Sequence, residues 1–124
     1  MSIFQSRAIK KKLDAAFAGR ERLDEQTFYE RYFRSRGVPA DVVIKVRRIL
    51  EEEFDIDLSR VSAEDDFARN LRFIADYGSL DAVEVLLRLE EEFGIEINDA
   101  EAEQSTSVEG MVKLVWNKLR QREA

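Results

Sequence analysis

Apolar residues along the chain recur mostly three and four positions apart, and no strand-like alternation of useful length appears, so the pattern predicts an all-helical protein. A first helix over about Ile3–Phe17 places Phe4, Ala8, Ile9, Leu13, Ala16 and Phe17 near one face, with Arg7, Lys10 and Lys11 largely elsewhere, and stops at Gly19. A second, over Asp24–Arg36, contributes Phe28, Tyr29, Tyr32 and Phe33 and is halted by Gly37. Pro39 is expected in the first turn of a third helix, Ala40–Phe54, whose core positions are Val42, Val43, Val46, Ile49, Leu50 and Phe54. From there to Gly78 the chain reads as a long irregular connection, yet Val61, Phe67, Leu71, Phe73 and Ile74 require it to pack. A helix over about Ser79–Phe93 follows, then a short one capped by Asn98 or Asp99, and "TSVEGMVKLVWNKLR" forms the last. No repeat of solenoid length is present.

The helix that opens at Ser79 is the most apolar. At about 100° per residue, Leu80, Ala82, Val83, Val85, Leu86, Leu87, Leu89 and Phe93 cover an arc of roughly 220°, twice the stripe a surface helix needs. It is therefore expected at the centre of the bundle. Asp81, Glu84, Arg88, Glu91 and Glu92 share the remaining ridge, where Arg88 is placed to pair with Glu84 or Glu92. Glu90 falls on the apolar side.

Composition narrows the chemistry. With 124 residues and 44% hydrophobic content, the chain has material for one compact core. It holds no Cys and no His, which removes thiolate metal sites, disulfides, thiol catalysis and the commonest general base, so no catalytic or metal-binding residues are expected. Residues 1–48 carry 12 Lys+Arg against 6 Asp+Glu, a net +6, whereas residues 49–124 carry 8 against 20, a net −12. Such an acidic second part repels nucleic acid and favours basic protein surfaces. No apolar run suits a signal peptide or a membrane span, and a cytoplasmic location is expected. Lys10, Lys11 and Lys12 beside Ile9 and Leu13 give the N-terminal region a face for weak contact with an anionic membrane. The aromatic cluster at 28–33 should bury itself against the rest of the chain or a second copy.

Ser79 stands where a helix begins and the first N–H groups lack partners. A plain N-cap and an attachment point for an anionic group both suit that position. A serine hydrolase lacks its customary base.

The stretch "SLDAVEVLLRLEEEFGIEINDAEAEQSTSV", residues 79–108, resembles the acyl carrier proteins nearly position for position, and a weaker likeness extends over about 40–120. The resemblance implies an all-α, acyl-carrier-like four-helix bundle over 39–124, preceded by a helical extension over 1–38. It implies that Ser79 carries a 4'-phosphopantetheine arm whose thiol holds an acyl group. It places Asp81, Glu84 and Glu91 where acyl-loading and acyl-transferring enzymes with basic docking surfaces would grip, with Arg88 in the same ridge and Glu90 in the later acidic pair. Phe67, Leu71, Leu86, Leu89, Phe93, Ile97, Ala102 and Met111 fall where the family's acyl pocket is lined. Three departures stand out: Gly78 replaces the Asp of Asp-Ser-Leu, the spacing from Leu71 to Ser79 is about four residues longer, and Arg88 sits in the acidic ridge. Together they suggest a specialised carrier for a lipid or secondary metabolite, modified by a phosphopantetheinyl transferase, or else a carrier-like docking module that never takes the arm.

Overall fold

The computed structural model describes residues 3–77 and 81–123. Gly78, Ser79 and Leu80 lie outside the described residues, as do the side chains of Phe4, Tyr77, Asp81 and Ala82. The helices are α1 (Ile3–Ala16), α2 (Glu25–Tyr32), α3 (Ala40–Phe54), α4 (Arg72–Tyr77), α5 (Asp81–Phe93), α6 (Asp99–Gln104) and α7 (Val108–Glu123). Among the described residues no strand forms, only one isolated antiparallel bridge between Asp66 and Ser107. The chain is thus an all-α bundle of the expected kind.

Local chemistry explains most boundaries. Asp24 caps α2 by accepting from Thr27 N, and Asn98 rather than Asp99 caps α6, exchanging hydrogen bonds with Glu101 in a capping box. The second helix is shorter than its pattern suggests. At Phe33 the backbone leaves helical geometry at φ −128° while the ring is fully buried, and Arg34–Arg36 continue as one 3-10 turn up to Gly37. Pro39 is the residue before α3 and not within its first turn, because its ψ of 144° is extended.

The connection after α3 is not wholly irregular. Within it lies α4, six residues long, which packs against α1 and carries the buried Ile74 and the partly buried Phe73. The chain just after Leu71 and the N-terminal helix α1 therefore meet each other. Too few apolar positions fall in six residues for periodicity to reveal such a helix.

Buried side chains form one cluster running through both parts of the chain, from Ile9, Leu13, Phe17, Leu23, Phe28 and Phe33 to Val43, Leu58, Leu71, Leu89 and Val112. Ile9 and Leu13, expected beside the lysines to face a membrane, are spent in this core. Helix α2 lies on α3, which also receives α5 and α7. Around the seam, oppositely charged side chains of extension and carrier meet at Arg20–Asp65, Arg22–Asp57, Asp14–Arg60, Glu25–Arg48 and Arg36–Glu109. The buried Arg47 guanidinium donates to Leu23 O and lies over the Phe28 ring.

Helices α3 and α5 end in the same words, "LEEEF", and in the same joint. Glu51 Oε2 accepts from Leu58 N and Glu90 Oε2 from Ile97 N, in each case seven residues on. Each helix is followed by a left-handed residue, Asp55 at φ 53° and Gly94 at φ 62°. The otherwise puzzling place of Glu90 on the apolar side follows, since its carboxylate turns inward to hold the next loop.

Candidate functional site

Helix α5 is amphipathic rather than central. Val85, Leu89 and Phe93 are buried and Leu86 half-buried, whereas Val83 is 56% and Leu87 45% exposed. The physical reason is that α5 packs on α3 and α7 from one side only, so the wide apolar arc splits into a buried stripe and an exposed strip. Glu84 and Glu91 are exposed and share the helix surface with Leu87, leaving an apolar centre with an acidic rim. Arg88 does not pair along its own helix. It donates to Glu53 Oε1 at 3.2 Å and to Glu52 Oε1 at 3.1 Å, both on α3, and Glu92 is paired across to Lys45.

On the inner side of α5 opens an apolar cleft of about 150 Å³, between Phe54 at the end of α3, Phe67 and Ala68, Val85 and Leu86, and Ser105, Thr106 and Met111. Phe54 and Phe67 stack at 5.1 Å with an interplanar angle of 17°, making one wall. Phe67, Leu86 and Met111 are thus brought together. Leu71, Leu89 and Phe93 lie in the general core, while Ile97 and Ala102 are half-buried away from the cleft. Phe54, Ala68, Val85, Ser105 and Thr106 were not expected there.

The cleft wall hangs on Asp65, only 3% exposed. Its Oδ2 accepts from Arg20 Nη1 at 2.6 Å and from Ser62 N at 2.8 Å, and its Oδ1 from Arg20 Nη2 at 3.2 Å and Asn70 Nδ2 at 2.8 Å. Burial pushes the Asp65 carboxyl up, but the Arg20, Ser62 and Asn70 hydrogen bonds and the Arg20 charge outweigh it and hold the group below the usual carboxylate range. A carboxyl lowered by folding stabilises the protein at neutral pH, and that stabilisation drains as the pH falls below its ordinary 3.8. Urea midpoints followed down in pH should therefore fall less steeply below about pH 4 in Asp65→Asn than in the parent, the mutant starting from lower stability. Parallel curves would deny Asp65 this role.

Among the described residues no cluster of acidic side chains could hold a metal ion, and no helix is long and apolar enough to cross a membrane. The model of a family described as the phosphopantetheine attachment site matches residues 44–115. An acyl carrier protein of Thermosynechococcus vestitus is 39% identical over 80 residues, covering 64% of this chain and 94% of that protein. The chain belongs to the acyl carrier protein family. It is accordingly a carrier and not an enzyme, its cofactor is covalent 4'-phosphopantetheine, and it meets a phosphopantetheinyl transferase and acyl-handling enzymes. The cleft beside Leu86 is apolar and suits an acyl group carried on such an arm.

Proposed function

We propose that Ser79 is the attachment point and that the chain carries an acyl or related thioester on the arm, in a specialised cytoplasmic lipid or secondary-metabolite pathway. The observation that carries this reading is the apolar cleft on the inner side of α5, within the matched span that also contains Ser79. The arm supplies a terminal thiol that holds the acyl group. Val85, Leu86, Phe67 and Met111 would exclude water from the chain of that group, and Ser105 and Thr106 would border its entrance.

On the outer side, Glu84 and Glu91 would meet basic groups of the partner enzymes beside the apolar patch of Val83 and Leu87, and Asp81 is proposed for the same role from its place in the sequence. The charge of Arg88 is spent on α3, so it narrows the ridge without opposing it. An intact-mass measurement after incubation with coenzyme A and a transferase tests the reading: one added phosphopantetheine is expected. No addition would favour the unmodified docking module, for which Gly78 in place of Asp is the specific sign.

The cleft has its own test. In the acyl-loaded protein, Leu86→Trp should fill the space and hasten hydrolysis of a fatty thioester while the bundle survives, since overpacking typically costs about 1–3 kcal/mol. Equal hydrolysis rates in a folded mutant would count against an internal acyl site.

A further inference from the structure

We propose that Arg20, in the extension, is a positioning residue for the acyl cleft, acting through Asp65 on the wall that Phe67 and Thr106 form. The inference rests on the cleft being the acyl site and adds a role for a part of the chain lying outside the matched family span.

The wall is a pair of short chain segments laid side by side, 65–68 and 105–108. They are joined by Phe67 N to Thr106 O at 3.0 Å, by the bridge between Asp66 and Ser107, and by Val108 N to Asp65 O at 2.9 Å. Phe67, Ala68, Ser105 and Thr106 of these segments face the cleft. Neither segment is helical up to Val108, so side chains must supply the order that a helix would give. Asp66 Oδ1 takes the N–H of Ala68, and Asn70 Oδ1 takes that of Asp66. Asn70 in turn donates to Asp65, the residue on which both segments converge.

A carboxylate so deeply buried is tolerable only beside a counter-charge. Arg20 supplies it through a two-pronged pair, and is itself steadied by the Phe17 ring 5.0 Å from its guanidinium carbon. Phe17 is fully buried, so the guanidinium approaches from a fixed base. Without Arg20, Asp65 keeps two neutral donors and must protonate or turn outward. Turning outward breaks its hydrogen bonds to Ser62 and Asn70, and protonation weakens them by removing the charge; either way the Phe67 segment is held less firmly against Thr106.

The test compares two cargoes on the loaded protein, octanoyl, which needs the cleft, and acetyl, which is too short to fill it. Thioester hydrolysis is followed by intact mass in a buffer where each variant is fully folded. Arg20→Gln should speed loss of octanoyl several-fold and leave the acetyl rate as in the parent, and Arg20→Lys should fall between. A lower urea midpoint with an unchanged octanoyl rate would show Arg20 to be merely structural and overturn the proposal. If Arg20→Gln does not fold, the near-isosteric Asp65→Asn decides: faster octanoyl loss supports the proposal and an unchanged rate overturns it. Leu86→Trp in parallel separates the two levels. If Leu86→Trp responds while Arg20→Gln does not, only the role of Arg20 falls. If the parent loses both cargoes equally fast and Leu86→Trp changes nothing, the cleft reading falls and the role of Arg20 with it.

Discussion

Treated with coenzyme A and a promiscuous phosphopantetheinyl transferase, the parent chain should gain one phosphopantetheine, Ser79→Ala none, and Gly78→Asp should gain it faster than the parent. The reaction joins the serine Oγ to the phosphate of the arm as the pyrophosphate bond of coenzyme A breaks. The nucleotide bisphosphate leaves, and the hydroxyl proton passes to a base on the transferase. An alanine offers no oxygen, so the expected loss is complete. The neighbouring effect is one of degree. An aspartate before the serine presents a carboxylate that helps a metal-bound donor to align, whereas Gly78 presents neither a carboxylate nor a fixed backbone. Other hydroxyls are poor substitutes: Ser59 Oγ accepts from Arg22 and Ser107 Oγ caps Gly110 N. Modification that persists in Ser79→Ala would move the attachment point elsewhere. A parent that stays bare while Gly78→Asp is modified readily would mean that the carrier function is lost and docking alone remains.

Phe28→Ala should destabilise the entire molecule by about 3–5 kcal/mol, a large share of the roughly 5–15 kcal/mol typical of a domain. Phe28 is buried, its ring centroid 5.2 Å from that of Tyr32 and 5.8 Å from that of Phe33, with the Arg47 guanidinium stacked over it. Truncation removes these contacts and leaves a buried cation facing a cavity. The single tryptophan, Trp116, is on α7, far along the chain from the mutation, and packs against the same core. Its fluorescence therefore reports whether the extension and the carrier melt together. A urea midpoint of Trp116 that drops in Phe28→Ala shows one cooperative unit. A midpoint that stays in place would show the extension to be a detachable arm.

The helices that could be read from sequence are those whose apolar stripe spans several turns: α1, α3, α5 and α7 are bounded within a few residues of their patterns. Periodicity failed where length failed, at the six residues of α4 and at the 3-10 turn after Phe33. It also misjudged α5. An apolar residue carries no label saying whether it faces its own core or another molecule, so a wide apolar arc places Val83 and Leu87 inside although both are exposed. At the site, the acidic ridge was visible from spacing. The cleft was visible only through Phe67, Leu86 and Met111, because Phe54, Ser105 and Thr106 reach it through the tertiary path of loops. Arg20 and Asp65 had no sequence signal, being 45 positions apart.

The seam between extension and carrier also bears on the order in which the chain acquires its structure. Its ion pairs join residues 35 positions apart at Arg22–Asp57, 46 at Asp14–Arg60 and 73 at Arg36–Glu109. Closing such loops costs entropy before any contact repays it. During synthesis the extension emerges first, yet the carboxylates and apolar surface it needs lie downstream, at Asp57, Asp65 and finally Glu109. Its phenylalanines must therefore wait, exposed, until α3 and the chain around Leu58 to Leu71 have left the ribosome, and the last clasp waits for the start of α7. Closure of this seam thus waits for synthesis to pass Glu109, and a chain stopped before Glu109 leaves an aromatic, basic and unpartnered segment for chaperones to hold.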